Sequence, residues 1–525
     1  MASFLDFINK KNENHKNTKR LFEGFKNEDF KKVMDLILKL LKKNIKDIIV
    51  GILLIIIIVL IIYDHFSKDE NVIRDIILSG ADVIRINMSH ASSEFARDVI
   101  LSTRKISEEL DTEIGIMIDT RGPEIRIGTL ESDNIKLFKD KKVRIVKNNI
   151  VGNSDMFSVT LPAIIEHCKV GEKILINDGS VELEVEATDG ETLICTIKND
   201  GFIKSNCSIN IPDANFNIKF LSNYDKDTIR FASMMEVDYL ALSLVNSHLD
   251  VLDVNDLLIE LDDSHIQIIS KIENKNAIEE IDKIIKMSDG IMISRGDLGI
   301  EVELEKIPSL QKKIATKTKE QEKICIVATE MLASMQHSPR PTRAEVSDVA
   351  NAVLDGTDAV MLSSETAIGL YPVETVKTMN KIIDAIENEI DYNDLLLEIN
   401  RNEKIETSKA ISYSCVDCAN RVEAKAIVCS TMTGNTAKEI SNYRPSCPVV
   451  AISPDEKVVR GLTINYGIFP VRVPIVSNTD EIINISVDTA KKIINLEEKD
   501  RIVIAGSFPL EDVKYTNFMK IEEIK

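Results

Sequence analysis

The chain has 525 residues, 44% of them apolar and 29% charged, and carries a formal net charge of -20. That length exceeds one ordinary domain and suggests about three. The acidity argues against a nucleic acid gripped through its phosphates, and eight cysteines scattered over such a length exclude a disulfide framework.

Residues 1–47 are a basic polar N-terminal extension, with 12 Lys/Arg against 7 Asp/Glu, ending in the amphipathic stretch KKVMDLILKLLKK. An apolar segment follows over 48–66. Ile48 to Tyr63 is 16 residues, about 24 Å as a helix against a hydrocarbon core of about 30 Å. Its Ile and Leu content favours insertion all the same. Lys31, Lys32, Lys39, Lys42, Lys43 and Lys46 precede it, while only Lys68 and Arg74 follow closely. A membrane segment in that setting would export everything downstream. The other reading is favoured, in which Ile55 to Ile62, almost all β-branched, form a strand buried on both faces and close a barrel that otherwise keeps an unpaired edge. A secretory signal fits less well, because no small-residue cleavage site follows.

From about residue 69, ENVIRDIILSG predicts a helix ended by glycine, and ADVIRINMSH and EIGIMIDTRGPEIRIG each predict a strand running into a loop. Between 129 and 217 short β-rich runs take over, KKVRIVKN and EKILINDGSVELEVEATDGETLICTIKND, which predict a small all-β insertion. Strand–helix alternation resumes with VDYLALSLV, IQIISKIEN, GIMISRGDLG, ICIVATEML and AVMLSSET. The strands number seven between 80 and 365, and an eighth can come only from the apolar run. After residue 389, AKAIVCST, CPVVAIS, FPVRV and RIVIAGS predict a further unit with a mostly parallel sheet. The fold class is therefore α/β: a (β/α)8 TIM barrel (67–128 and 218–388) interrupted by a small all-β lid (129–217), plus a C-terminal α/β domain (389–525). Cys415 and Cys418 lack the second pair of a structural zinc site and read as packing residues on a helix.

Reactive groups of such barrels sit at the C-terminal strand ends. In SKIEN, Lys271 and Glu273 are two apart and share one face of a strand. A cation beside a carboxylate suits an anionic substrate held jointly by lysine and metal; an exposed surface pair is the plainer alternative. In SRGDLG, Asp297 follows Gly296. Carboxylates from adjacent strand ends suit Mg2+ with open water positions, and the glycine lets a backbone N–H approach an anion closely.

SKIENKNAIEEIDKIIKMSDGIMISRGDLGIEVELEKIPSLQKKI, VATEMLASM, PRPTRAEVSDVANAVLDGTDAVMLSSETAIGLYPVE, IRINMSH and IDTRGPEIRIG together resemble pyruvate kinase, and the similarity spans most of 69–525. The resemblance implies Mg2+- (or Mn2+-) and K+-dependent transfer of a phosphoryl group from phosphoenolpyruvate to ADP, giving pyruvate and ATP. It places Lys271 at the transferring phosphoryl group and enolate oxygen, Arg85 on the phosphoryl group and Thr329 where the enolate is protonated. Gly296 and Asp297 join the substrate contacts. Glu273 and Asp297 would hold Mg2+, and Asn87, Ser89, Asp119 and Thr120 the K+. His90, Arg126, Asn87 and Asp178 would meet the nucleotide. Glu124 matches the K+-dependent members. The resemblance also implies a homotetramer in the cytoplasm; a membrane contact through 48–63 is the alternative.

The chain departs from the family at several points. Tyr63-Asp64-His65-Phe66 stands where Gly-Pro is usual, Ala91 replaces a glycine and Glu330 a glutamine, and the lid motif reads Asn210-Ile211-Pro212-Asp213. These changes bear on the nucleotide more than on phosphoryl transfer, and they motivate a second expectation, an impaired phosphometabolite-binding or scaffold protein. STMTGNTA (430–437) resembles an effector-phosphate loop, but its partner loop, GSFPLEDVKYTN, carries Glu511 and Asp512, which disfavours fructose-bisphosphate activation. A dikinase-like enzyme would need a phosphorylatable His loop, which the chain does not show.

Overall fold

Glu70–Ile77 is the first described element, a helix that buries Ile73 and Ile77. A computed structural model describes residues 69–525, apart from 133, 213–218, 400–404, 476–477 and 508–514. The extension and the apolar segment, with the strand expected at Ile55 to Ile62, lie outside the described residues, as do Asp213, Glu511 and Asp512.

Seven strands follow: β1 (Val83–Asn87), β2 (Gly115–Asp119), β3 (Tyr239–Leu242), β4 (Gln267–Ile272), β5 (Gly290–Ser294), β6 (Ile324–Ala328) and β7 (Ala359–Met361). They pair in parallel, in chain order, as one sheet. Helices between them start where the sequence supplies caps. Ser92 accepts from Phe95 N–H, Ser222 from Asp225 N–H, and Thr342 forms a capping box with Glu345.

Each strand feeds two cores by simple alternation. Ile116, Ile118, Leu240, Leu242, Ile268 and Ile272 face the helices. Met117, Tyr239, Ala241, Ile269, Met292 and Ile326 fill the interior. Burial on both faces is why the strands read as unbroken apolar runs. Among the described residues β1 and β7 each have one unpaired side. The helix after β7, Pro372–Glu387, nevertheless packs on Glu70–Ile77, which precedes β1, so the outer helical layer closes on itself.

The insertion forms an antiparallel-rich sheet that already takes up Ile125–Arg126, paired with Ser208–Asn210. Val181–Thr188 at its centre alternates buried and half-exposed residues in its first half. The C-terminal sheet contains β8 (Ala426–Ser430), β9 (Val449–Ser453), β10 (Ile468–Arg472) and β11 (Arg501–Gly506), all parallel. An antiparallel edge strand, β12 (Phe518–Glu523), completes it; this strand was not read from the sequence. Cys415 and Cys418 lie on the helix Thr407–Arg421 as free thiols, the first buried and the second half-buried. Among the described residues no helix is long and apolar enough to cross a membrane.

The C-terminal domain supplies the barrel floor. Ile464 joins the interior core. Its N–H donates to the Tyr239 hydroxyl at 3.2 Å, and that hydroxyl donates to Arg460 O at 3.1 Å. A Cβ at Gly115 would collide with the Thr463 hydroxyl and the Tyr239 ring, so glycine is needed there. Three aspartates just ahead of odd-numbered strands cap the preceding strands: Asp238 accepts from Ile116 N–H, Asp289 from Ile268 N–H and Asp358 from Cys325 N–H. Two of them also hold arginines of the C-terminal domain, Asp238 with Arg460 and Asp358 with Arg444, both at 2.9 Å. Ile464→Ala would open a cavity under the barrel at a cost of about 2–4 kcal/mol; the expected readout is a thermal midpoint several degrees lower.

Candidate active site

β4 places Lys271, fully enclosed by protein, beside the carboxylates of its neighbours. Its ammonium lies 2.7 Å from Glu273 Oε1 and 3.5 Å from Asp119 Oδ2, and donates to Ser243 Oγ at 3.0 Å. Arg85, on β1, grips Asp119 in two places: Nε donates to Oδ1 at 2.8 Å and a terminal nitrogen pairs with Oδ2. Register explains this meeting, since residues 85 and 87 of β1 run beside 117 and 119 of β2. Glu273 Oε2 accepts the Leu244 N–H at 2.6 Å. Leu244 reaches that position with φ 59°, a left-handed backbone that a branched residue adopts at a cost.

The charges act on one another. Burial alone would raise the Asp119 carboxyl, but Arg85 and Lys271 hold it below the usual carboxylate range. Burial would lower Lys271, and Glu273 with Asp119 outweighs it, so the ammonium stays charged. Asp297 is different. It stands in the first turn of the short helix Arg295–Glu301 and opens onto the cleft. Desolvation by the surrounding walls and the Glu273 charge push its carboxyl up to about 7, the protonated form bonding to Glu273.

Thr329, just past β6, has φ 68°. Its hydroxyl donates to Ala328 O at 2.6 Å and accepts the Gly296 N–H at 2.8 Å. Arg295 fixes the same residue by donating to Thr329 O at 2.7 Å, and pairs with Asp348. The structure thus joins Arg85, Asp119, Lys271, Glu273 and Asp297 in one electrostatic group, with Gly296 and Thr329 at its edge. Asn87 sits beside Asp119 on the neighbouring strand. The hydroxyls of the other two expected K+ ligands have protein partners. The Thr120 hydroxyl accepts from Ser243 N–H, and Ser89 Oγ lies 3.5 Å from Glu124 Oε1. Arg126 donates to Glu124 Oε2, tying the lid entrance to that loop, and His90 is exposed on it. Asp178 occupies a left-handed turn of the lid, held by Ser208, and its charge reaches Asp297.

Three contributors escaped the sequence reading. Ser243 and Leu244 follow a strand whose inward face continues Tyr239 and Ala241, a period-2 signal that was available. Ser294, on the inner face of β5 after Met292, has a buried hydroxyl without a protein partner among the described residues. A ligand at the mouth would satisfy it.

Among the described residues no three His, Cys, Asp or Glu side chains converge as a metal cage. Two neighbouring carboxylates, the buried Glu273 and the exposed Asp297, with an orphaned hydroxyl on the strand ahead of Asp297, instead suit a hard cation that keeps water or substrate oxygens. Parallel barrel, lid and cation–carboxylate group at the C-terminal mouth define a barrel enzyme that handles a small, highly anionic substrate.

Family models match the chain as pyruvate kinase, barrel domain, over 56–376, and pyruvate kinase, alpha/beta domain, over 409–522. The first match begins inside the apolar run. The chain is 39% identical to the pyruvate kinase of Clostridium acetobutylicum over 87% of its length and 97% of the relative's. It is 40% identical to that of Staphylococcus haemolyticus over 87% of this chain and 78% of the relative. The crystal structure of a pyruvate kinase from Cryptosporidium parvum superposes with a TM-score of 0.82 at 33% identity, covering 88% of this chain and 94% of that one. The chain belongs to the pyruvate kinase family and is a phosphotransferase.

Two outcomes follow from this geometry. Asp119→Ala strips Arg85 and Lys271 of a shared carboxylate, and breaking a buried pair from one side costs about 3–5 kcal/mol, readable by chemical denaturation. The second concerns pH. The folded Asp297 carboxyl keeps its proton to about 7, whereas the unfolded one loses it near 3.8. Its folded pKa is raised, so its contribution to stability is full below 3.8 and fades as pH climbs to about 7. With divalent cations chelated, the thermal midpoint of the wild type should fall over that window, and Asp297→Asn should flatten the fall.

Proposed function

We propose that the joined group at the barrel mouth carries the family reaction, transfer of the phosphoryl group of phosphoenolpyruvate to ADP with formation of pyruvate and ATP. The observation that bears most weight is the Lys271 ammonium held between Glu273 and Asp119, within the same field as Arg85 and Asp297. Glu273 and Asp297 hold Mg2+ in this reading, and Asn87, Ser89, Asp119 and Thr120 hold K+. A bound Mg2+ supplies charge neutralisation at the phosphoryl oxygens.

The chain's own residues do the rest. Lys271 presents its ammonium to the bridging oxygen of phosphoenolpyruvate, the atom on which enolate charge develops as the phosphoryl group leaves. Arg85 faces the equatorial oxygens of that group, where charge is spread in the transfer. Gly296 N–H lies beside the substrate carboxylate. The Thr329 hydroxyl, its rotor fixed by two bonds, orders the proton delivered to the enolate carbon. From the lid side, Asp178, Arg126, His90 and Asn87 meet the nucleotide. Closing the lid over the mouth would exclude water and so protect the phosphoryl group from hydrolysis.

The family match begins at residue 56, inside the apolar run, and this supports a cytoplasmic enzyme.

Purified protein with Mg2+ and K+ should make ATP from phosphoenolpyruvate and ADP. Lys271→Met should lower kcat by about 10²–10³ while phosphoenolpyruvate still binds. If the wild type binds phosphoenolpyruvate without turnover, the scaffold alternative takes over. Cell fractionation should leave the activity in the soluble pool; activity confined to the membrane pool would reverse the strand reading.

A further inference from the structure

The inner face of β4 is a column. Gln267, Ile269, Lys271 and Glu273 alternate onto the barrel interior, with Ile269 in the inner core and Ile268 and Ile272 in the outer one. Gln267 stands at the floor end, about 13 Å from Lys271 at about 3.3 Å per residue. Its amide is fastened twice to the C-terminal domain: Nε2 donates to Gly461 O at 2.6 Å, and Oε1 accepts from Lys438 Nζ at 2.7 Å. Gly461 is shaped for this contact, because a Cβ there would come within 2.9 Å of Gln267 Nε2.

Lys438 belongs to the helix Asn435–Asn442, whose cap, Gly434, has φ 87°. The Gly434 N–H donates to Thr431 Oγ1 at 2.9 Å, and Lys438 N–H donates to Gly434 O. One turn of helix therefore separates the hydroxyl-rich turn 431–434 from the ammonium on Gln267. Burial pushes that ammonium below the ordinary lysine range, with Asp289 and Lys323 as its nearest charges. Its hydrogen-bond acceptor is neutral, an expensive arrangement in a barrel–domain junction.

We propose that Gln267 is a positioning residue for phosphoryl transfer: through Lys438 and Gly461 it sets the axial height of β4, and with it the reach of Lys271 and Glu273. The inference rests on the active-site reading given above. All six residues of β4 are buried, its first four pair with β3 and its last four with β5, so the strand moves as a rod. A slip of about 1 Å in such a rod displaces a reacting group enough to cost up to about 10²-fold in rate. The turn 431–434 then acts on the chemistry through one lysine and one amide.

A double-mutant cycle tests this. Gln267→Met and Lys438→Met should each lower kcat about tenfold, with KM for phosphoenolpyruvate changed less than twofold. The double variant should be no slower than either single one, since both break the same link. Hydrogen exchange gives a readout that needs no turnover: peptides covering 270–274 should lose protection equally in both single variants, while Val181–Thr188 of the lid stays unchanged. Lys438 is half-buried on a helix outside the barrel, so its variant keeps the test open if Gln267→Met folds poorly. Multiplying effects on kcat, or exchange confined to the floor end of β4, would overturn the positioning role even with an active wild type. An inactive wild type would instead overturn the active-site reading, and the exchange pattern would still decide the clamp.

Discussion

Three carboxylates, Asp119, Glu273 and Asp297, face two cations, Arg85 and Lys271, in one confined space, and everything at the barrel mouth depends on that imbalance. Two of the carboxylates are satisfied: Asp119 by the fork of Arg85 and by Lys271, Glu273 by Lys271 and the Leu244 N–H. The third, Asp297, feels Lys271 only at a distance, and desolvation with the Glu273 charge pushes its carboxyl up to about 7. In the proposed reading Glu273 and Asp297 would hold a divalent cation, whose charge would offset their crowding and favour a substrate with several negative charges. The same residues would make little sense as a structural ion-pair network, where an unmatched carboxylate is a plain loss.

Holding like charges together requires a frame that does not relax, and the barrel supplies it through layers. The mouth carries the charges, the middle is apolar, with Met117, Ile269 and Met292, and the floor is polar again, bonded through Tyr239, Gln267 and the capping aspartates. Because β4 contributes to all three layers, through Gln267, Ile269 and Lys271, a contact at its floor end bears on its mouth end in the proposed reading. The C-terminal domain is for this reason part of the barrel's own packing: Ile464 completes the inner core, while Arg460 and Arg444 bond the aspartates that begin β3 and β7.

How much of this could be read beforehand differs by range. Lys271 and Glu273 were legible because the pleat puts residues two apart on one face, and Asp297 because a Gly-Asp pair follows the next strand. The barrel was legible from alternation alone, and the lid from its change of period. What stayed hidden is long-range. Nothing local in RGLTI says that it caps a barrel built from residues more than two hundred positions earlier, and nothing in Gln267 marks it as a floor contact rather than a strand start. β12 was missed for another reason: FMKIEE is an edge strand, half-exposed and charged, so it lacks the apolar run by which its parallel neighbours were found. The Thr120 and Ser89 hydroxyls show a further limit, since a motif fixes which residues are present and leaves their rotamers to the neighbours.

The backbone tells the same story as the charges. Leu244, Thr329 and Glu330 all have positive φ, and all lie just past C-terminal strand ends at the mouth. Each costs about 1–3 kcal/mol in isolation, so their clustering needs a cause, and the hydrogen bonds provide it. The Leu244 N–H is aimed at Glu273, Thr329 O is held by Arg295, and the Thr329 hydroxyl bridges to Gly296. In each case an adjacent strand or its following turn enforces a conformation that the residue would not choose. At the floor, positive φ falls at Asp111, Glu236, Asp262 and Glu322, in the turns that end helices ahead of β2, β3, β4 and β6, where a left-handed residue is a common helix stop. The mouth must point particular atoms at one small volume, and the chain accepts local strain there that the packed layers beneath are rigid enough to maintain.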